Sequence, residues 1–145
     1  MIRHLRPEEA PALAGSLVHM DPWRRLGFSD DGLAAYLLRD DANLLRMAFE
    51  RDGRVAGLLC LRSPWLRGPY VEMLAVVPGC QGQGIGSALL AWAAGQNGGN
   101  LWVCVSAFNL RARDFYGRNG FVEKAELSDL IAVGEDEILM RRKLR

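Results

Sequence analysis

The sequence predicts an α/β domain with a mixed sheet, and three observations lead there. Short apolar runs bounded by turn residues alternate with segments whose apolar residues recur at i, i+3 and i+4, the marks of strands and helices. A chain of 145 residues, 50% apolar and 24% charged, suits one hydrophobic core without disulfides or metal. Neither an internal repeat nor a low-complexity linker divides it, so residues 1–145 are expected to form a single domain.

Ile2 to Leu5 reads as a strand that breaks at Pro7. Glu8 and Glu9 lead into a helix over Ala10 to Met20, with Leu13, Leu17 and Val18 at helical spacing. Asp21-Pro22-Trp23 interrupts the pattern, and Ser29-Asp30-Asp31 caps a second helix carrying Leu33, Tyr36, Leu37 and Leu38. Leu44 to Glu50 and Arg54 to Leu61, joined at Arg51-Asp52-Gly53, form a β-hairpin. A loop from Arg62 to Pro69 follows. Tyr70 to Val77 is apolar except for Glu72, as suits a strand buried on both faces, and Pro78-Gly79-Cys80 ends it. Ile85, Ala88, Leu89, Trp92 and Ala93 then mark a helix that closes within Gly95 to Gly99. Leu101 to Ser106 is the next strand. Asn109 opens a helix with Ala112, Phe115 and Tyr116 on one face, and Asn119-Gly120 closes it as a left-handed terminator. Phe121 to Leu127 and Glu137 to Lys143 are the last strands, giving the order βααβββαβαββ.

A formal net charge of +1 offers no field of one sign to nucleic acid or an anionic membrane. The apolar runs fall well short of the roughly 20 residues that span a bilayer, and Met1 to Pro7 lacks the apolar stretch of a secretory leader. Cys60, Cys80 and Cys104 show no metal-ligand spacing, and their odd number fits a reducing compartment. The expectation is a cytoplasmic protein with no metal, nucleic-acid or membrane partner. Cys60 and Cys104 lie inside apolar runs and read as small core residues, while Cys80 has no histidine near it to make it a nucleophile. His4 and His19 read as surface or helix-end residues.

The run Gln81-Gly82-Gln83-Gly84-Ile85-Gly86 lies between a strand and a helix, where phosphate is commonly bound. The first helical turn has unpaired N–H groups and partial positive charge, and glycines let the backbone approach a ligand closely. No Asp or Glu in that turn competes with an incoming anion. Two nucleotide-binding spacings fail. A Rossmann fingerprint needs glycine where Ser87 stands, and a Walker A loop needs lysine where Ile85 stands. What fits is Gln-x-x-Gly-x-Gly at Gln81, Gly84 and Gly86. The glycines alone support no more than an anion site, and a loop without a ligand stays open on that evidence.

Leu74-Ala75-Val76-Val77-Pro78 before this run, and Phe115-Tyr116-x-x-Asn119-Gly120-Phe121 after it, complete a pattern over nearly the whole chain. The pattern resembles the GNAT superfamily of N-acetyltransferases, whose element order matches the one above. The resemblance implies a mostly antiparallel central sheet flanked by helices, and transfer of an acetyl group from acetyl-CoA to a primary amine by direct attack in a ternary complex. It implies that backbone N–H groups across Gln81, Gly82, Gln83, Gly84, Ile85, Gly86 and Ser87 hold the CoA pyrophosphate. Strand residues Leu74, Ala75 and Val76 would meet the pantetheine arm and supply an oxyanion donor, and Asn109 would bond the arm further along.

By helical spacing alone Tyr116 reads as a core aromatic sharing a face with Ala112 and Phe115; the resemblance makes it the family tyrosine that protonates the departing sulfur. Asn109 is also a natural helix cap. Glu72 interrupts an apolar strand, where burial would raise its pKa toward that of a general base acting through water. Pairing with Arg62 or Arg67 is the other reading of Glu72. Ser106 is a further polar candidate at a strand end, or a simple strand-end hydrogen bonder, and Arg111, Arg113 and Arg118 read singly as solvated helix charge and otherwise as candidates for the CoA 3′-phosphate. Trp23, Phe28, Trp65 and Tyr70 fall where acceptor pockets form in the resembled family, and suit a cationic amine, the core or a homodimer interface. A non-catalytic acyl-CoA sensor and a nucleotide-binding protein are the competing readings.

Overall fold

The computed structural model describes residues 1–96 and 99–144. Asn97 and Gly98, within the stretch expected to end a helix, lie outside the described residues. The chain begins with β1 (Ile2–His4), a 3-10 turn (Pro7–Glu9) and three helices, α1 (Ala10–Leu17), α2 (Trp23–Leu26) and α3 (Asp30–Leu38). A meander of β2 (Leu44–Arg51), β3 (Arg54–Trp65) and β4 (Gly68–Val76) follows. Then come α4 (Ile85–Ala94), β5 (Asn100–Ser106), α5 (Leu110–Arg118), β6 (Val122–Ala132) and β7 (Glu135–Lys143). The strands form one sheet in the order β1-β2-β3-β4-β5-β7-β6, antiparallel except between β4 and β5. This is the mixed, mostly antiparallel sheet flanked by helices that was expected.

Local chemistry explains the helix ends. The Ser29 hydroxyl accepts from the Gly32 N–H at 3.0 Å, so α3 starts with one of its orphan donors satisfied. Asn109 does the same for α5 through the Ala112 N–H at 3.2 Å. At the other end of α5, Gly120 takes a left-handed φ of 88° and Phe121 N–H bonds back to Tyr116 carbonyl, closing the helix.

Several expected boundaries shift: α1 stops at Leu17 rather than Met20, β7 starts at Glu135 rather than Glu137, and three further shifts have distant causes. Trp23 belongs to the short helix α2, because its indole is buried under α1 and α3 and rewards another turn after Pro22. Most of the expected loop Arg62–Pro69 is strand, with only Leu66 and Arg67 at the turn. Ser63 and Pro64 fall within a register shift between Arg62↔Tyr70 and Trp65↔Gly68, so the missing proline N–H breaks no regular ladder. Trp65 stacks on Tyr70 at 4.6 Å and meets Trp102 edge-on at 5.7 Å, closing that end of the hairpin. Lastly, β6 runs on to Ala132, because β7 offers it a partner as far as Glu135.

Two apolar layers cover the sheet. α4 and α5 pack with Leu59, Leu61, Val71, Val103 and Ile138 on one face. On the other, α1 and α3 pack with Leu58, Cys60, Met73 and Ala75. Gly57 sets how closely α4 approaches. A Cβ there would stand 2.6 Å from Ile85 Cγ2 and 3.1 Å from Leu89 Cδ1, leaving no room for a methyl group. We expect Gly57→Ala to push α4 outward and cost about 1–3 kcal/mol, read as a lower urea midpoint at unchanged slope.

Candidate functional site

The site begins with a failure of strand pairing. β4 and β5 share only two registered pairs, Tyr70↔Trp102 and Val71↔Val103, although β5 stays paired with β7 along its whole length. The next residue of β4 is Glu72, and it is the extra residue of a bulge: Leu61 of β3 faces Val71, whereas Cys60 faces Met73. A bulge raises local twist and re-aims the strand. Here it turns β4 away from β5 and switches its faces, with Val71 packing under α4 and α5 and Met73 under α1 and α3. Between the diverging strands lies a cleft of about 1150 Å³, reaching from the Gln81–Ser87 turn to the N-terminal helices.

Glu72 is held from two sides. Arg62 Nε donates to its Oε1 at 2.6 Å, and Arg62 Nη2 and the Tyr36 hydroxyl donate to its Oε2 at 3.1 and 2.6 Å. Arg62 is itself fixed by Asp41 at 3.0 Å. Burial pushes the Glu72 carboxyl up, but the guanidinium and the phenol outweigh it and hold the pKa below the usual carboxylate range. The expected raised pKa of a general base is thus corrected, and Arg62, not Arg67, is the partner. Glu72 still lines the cleft, as an ionised group.

At the far end, none of the backbone N–H groups from Gln81 to Ser87 has a protein acceptor among the described residues. Gly84 caps α4 at a left-handed φ of 80°, a conformation that leaves the first helical turn open to the cleft. Gln81, Gly82, Gly84, Ile85, Gly86 and Ser87 line it. Gln83 does not: its side-chain oxygen accepts from Arg51 on β2 instead. Of the strand candidates, Leu74, Ala75 and Val76 line the gap beyond the last β4–β5 pair, where that edge of β4 has no neighbouring strand.

α5 crosses the same cleft. Tyr116 is 7% exposed, packed edge-on against Phe115 at 5.3 Å and Phe121 at 5.4 Å, and it lines the cleft beside Asn109. Burial raises its pKa, so the hydroxyl keeps its proton at neutral pH. The three arginines separate by role. Arg113 binds Glu123 at 2.9 Å and the Ala107 carbonyl at 3.0 Å, and Arg118 pairs with Asp114. Arg111 lines the cleft and has no ion pair among the described residues.

On the side of the N-terminal helices, Trp23, Phe28 and Tyr70 line the cleft while Trp65 stands behind Tyr70. His19 follows α1 as an exposed residue and also faces the cleft. Cys104, expected in the core, is half-buried and lines the cleft, because strand divergence leaves its side uncovered. Ser106 is buried at 2% exposure, and opposite it in the β5–β7 register stands Glu137 at 3%. Sequence reasoning passed over Glu137, reading it only as the first residue of the last strand, because its register partner Ser106 is distant in the chain. Among the described residues no cluster of three His, Cys, Asp or Glu could hold a metal ion, and no helix is long and apolar enough to cross a membrane.

The sheet thus splits beside a helix start whose N–H groups are unpaired among the described residues, and a buried tyrosine lines the split. In comparison with known proteins, the model of the Acetyltransferase (GNAT) family matches residues 3–121, and the chain belongs to that family. It is 36% identical over 99 residues to an uncharacterised N-acetyltransferase of Methanocaldococcus jannaschii, covering 65% of this chain and 63% of that protein. The chain thus spans just under two thirds of the length of the curated relatives it matches. A Desulfovibrio desulfuricans structure assigned to the GNAT family superposes with a TM-score of 0.81 at 24% identity, covering 100% and 99% of the two chains. A Bacillus anthracis structure assigned as a streptothricin acetyltransferase, in complex with acetyl coenzyme A, superposes at 0.64 and 20% identity, covering 73% and 65%.

Because the folded pKa of Glu72 is depressed, its ion pair stabilises the protein above the ordinary carboxylate range and ceases to do so as pH falls through the folded value. Arg62→Met is expected to raise the Glu72 pKa in a carboxyl NMR titration. The stability gap between this variant and the wild type should be widest near neutral pH and shrink in acid.

Proposed function

We propose that the protein transfers an acetyl group from acetyl-CoA to a primary amine by direct attack in a ternary complex. The observation that carries this reading is the unbroken run of unpaired N–H groups from Gln81 to Ser87, opening onto the gap where Tyr116 stands. Such a run at a helix N-terminus suits a pyrophosphate, whose oxygens outnumber what one side chain could satisfy. Arg111 would meet the 3′-phosphate at the outer end.

The open edge of β4 over Leu74, Ala75 and Val76 fits an extended amide-bearing arm, which would take the place of the missing neighbouring strand. An N–H of this edge would also face the thioester carbonyl and stabilise negative charge on its oxygen. Asn109, with its side chain engaged as the α5 cap, would contribute from its backbone. Tyr116 holds its proton in a dry setting and would deliver it to the departing sulfur. Glu72, ionised and held by Arg62 and Tyr36, keeps the bulge in place and adds negative charge facing the amine.

Calorimetric titration with acetyl-CoA, ATP and NAD tests the reading: acetyl-CoA should bind at micromolar level, and silence, or tighter ATP binding, overturns it. Tyr116→Phe should lower kcat about a hundredfold in a thiol-release assay at unchanged acetyl-CoA Kd; Kd and kcat both equal to wild type would remove Tyr116 from the chemistry. Arg111→Ala should weaken CoA about fivefold and leave 3′-dephospho-CoA unaffected.

A further inference from the structure

We propose that Glu137 is the carboxylate that receives the acceptor's ammonium group and takes its proton, with Ser106 orienting it. This rests on the acetyl-transfer reading above.

Both side chains are buried, at 3% and 2%, and Glu137 Oε2 and Ser106 Oγ find no well-formed hydrogen bond among the described residues; Ser106 acts on Glu137 only enough to oppose, not outweigh, the rise that burial causes. Buried polar atoms are almost always partnered, so two unsatisfied atoms side by side at a cleft wall mark a place where a ligand completes the set. Their position is fixed by register. Ser106↔Glu137 is the last β5–β7 pair before the turn, and the Ala107 N–H to Asp136 carbonyl bond of 2.9 Å locks it.

The face is also fixed. Trp102, Cys104 and Ser106 alternate with Leu101, Val103 and Val105, and the latter three pack into the core under α4 and α5. Glu137 therefore lies across the sheet from the Gln81–Ser87 turn, on the side where Trp23, Tyr36 and Tyr70 line the cleft. Donor and acceptor would enter from opposite faces and meet at the gap.

Charge favours a cation there. Asp21, Glu72 and Glu137 line this half, whereas the arginines that line the cleft, Arg111 and Arg118, stand on α5. The titratable groups around Glu137 are Ser106-adjacent Cys104 on β5, Tyr70 on β4 and Glu135 on its own strand, and none is cationic. Arg25 of α2 pairs with Glu135 at 2.9 Å. Glu72 already accepts three hydrogen bonds from Arg62 and Tyr36, while Glu137 keeps an oxygen free. Burial holds the Glu137 pKa above the ordinary carboxylate value, which makes it the better proton acceptor of the two.

In the step itself, the Glu137 carboxylate takes one proton from the ammonium and passes it to solvent. The freed nitrogen pair bonds the thioester carbonyl carbon, and the carbon–sulfur bond breaks with its electrons going to sulfur. Tyr116 protonates that sulfur and is restored by the second proton leaving the nitrogen. One amide, one thiol and one released proton result.

The test uses Glu137→Gln, Glu137→Asp and Ser106→Ala in the full chain, with acetyl-CoA Kd by calorimetry and thiol release from a panel of diaminoalkanes and N-terminal peptide amines across pH. Glu137→Gln should lose at least thirtyfold in kcat/KM and lose the acidic limb of the wild-type profile, at unchanged acetyl-CoA Kd, with Glu137→Asp restoring part of both. Ser106→Ala should shift that limb with a smaller loss. If acetyl-CoA fails to bind the wild type, the underlying reading falls. If it binds but no amine of the panel is acetylated, the reading falls and this inference with it; if amines are acetylated and Glu137→Gln matches wild type in kcat/KM and pH profile, the reading stands and this inference is overturned.

Discussion

Everything at the cleft depends on one residue too many in β4. Glu72 has no partner in the β3 register, so the strand bends where its pairing with β5 would continue. A bulge of this kind must be stabilised, since an extra extended residue leaves backbone groups without a ladder. Arg62, Tyr36 and, behind them, Asp41 do so through a chain of hydrogen bonds that joins β3, α3 and the turn before β2. The acid that interrupts an apolar strand is thus neither a packing error nor a free base. It anchors the break that opens the sheet.

The divergence also sorts the chemistry by face. Backbone donors and Arg111 lie with α4 and α5 and suit an anion, while acids and aromatics lie with the N-terminal helices and suit a cation. The buried Tyr116 stands where the halves meet, between Phe115 and Phe121, which keep its ring from turning away.

Strands, helices and the glycine turn were legible because each has a local cause: period, capping residue or breaker. Ser29, Asn109 and Gly120 perform in the structure the local roles their residue types suggest. Where reading failed, a distant partner decided. Trp65 and Pro64 looked like loop until Tyr70 and Trp102 provided stacking partners, and Cys104 looked like core until the divergence of β4 uncovered it. The pKa of Glu72 went the opposite way from the simple burial argument, because Arg62 and Tyr36 outweigh desolvation.

The sequence by itself determined the order of the strands and longer helices, the glycine turn at Gln81–Ser87 and the helix that carries Tyr116. These are local facts, written in neighbouring residues and fixed by helix geometry and glycine's range of φ. Tertiary structure alone decided which acid is held by an ion pair and which keeps an oxygen free. Glu72 and Glu137 have the same side chain, and their chain neighbours do not reveal which one gains a cationic partner. Tertiary packing does: the Arg62 and Tyr36 side chains reach one and hold its pKa down, while burial beside Ser106 holds the other's up.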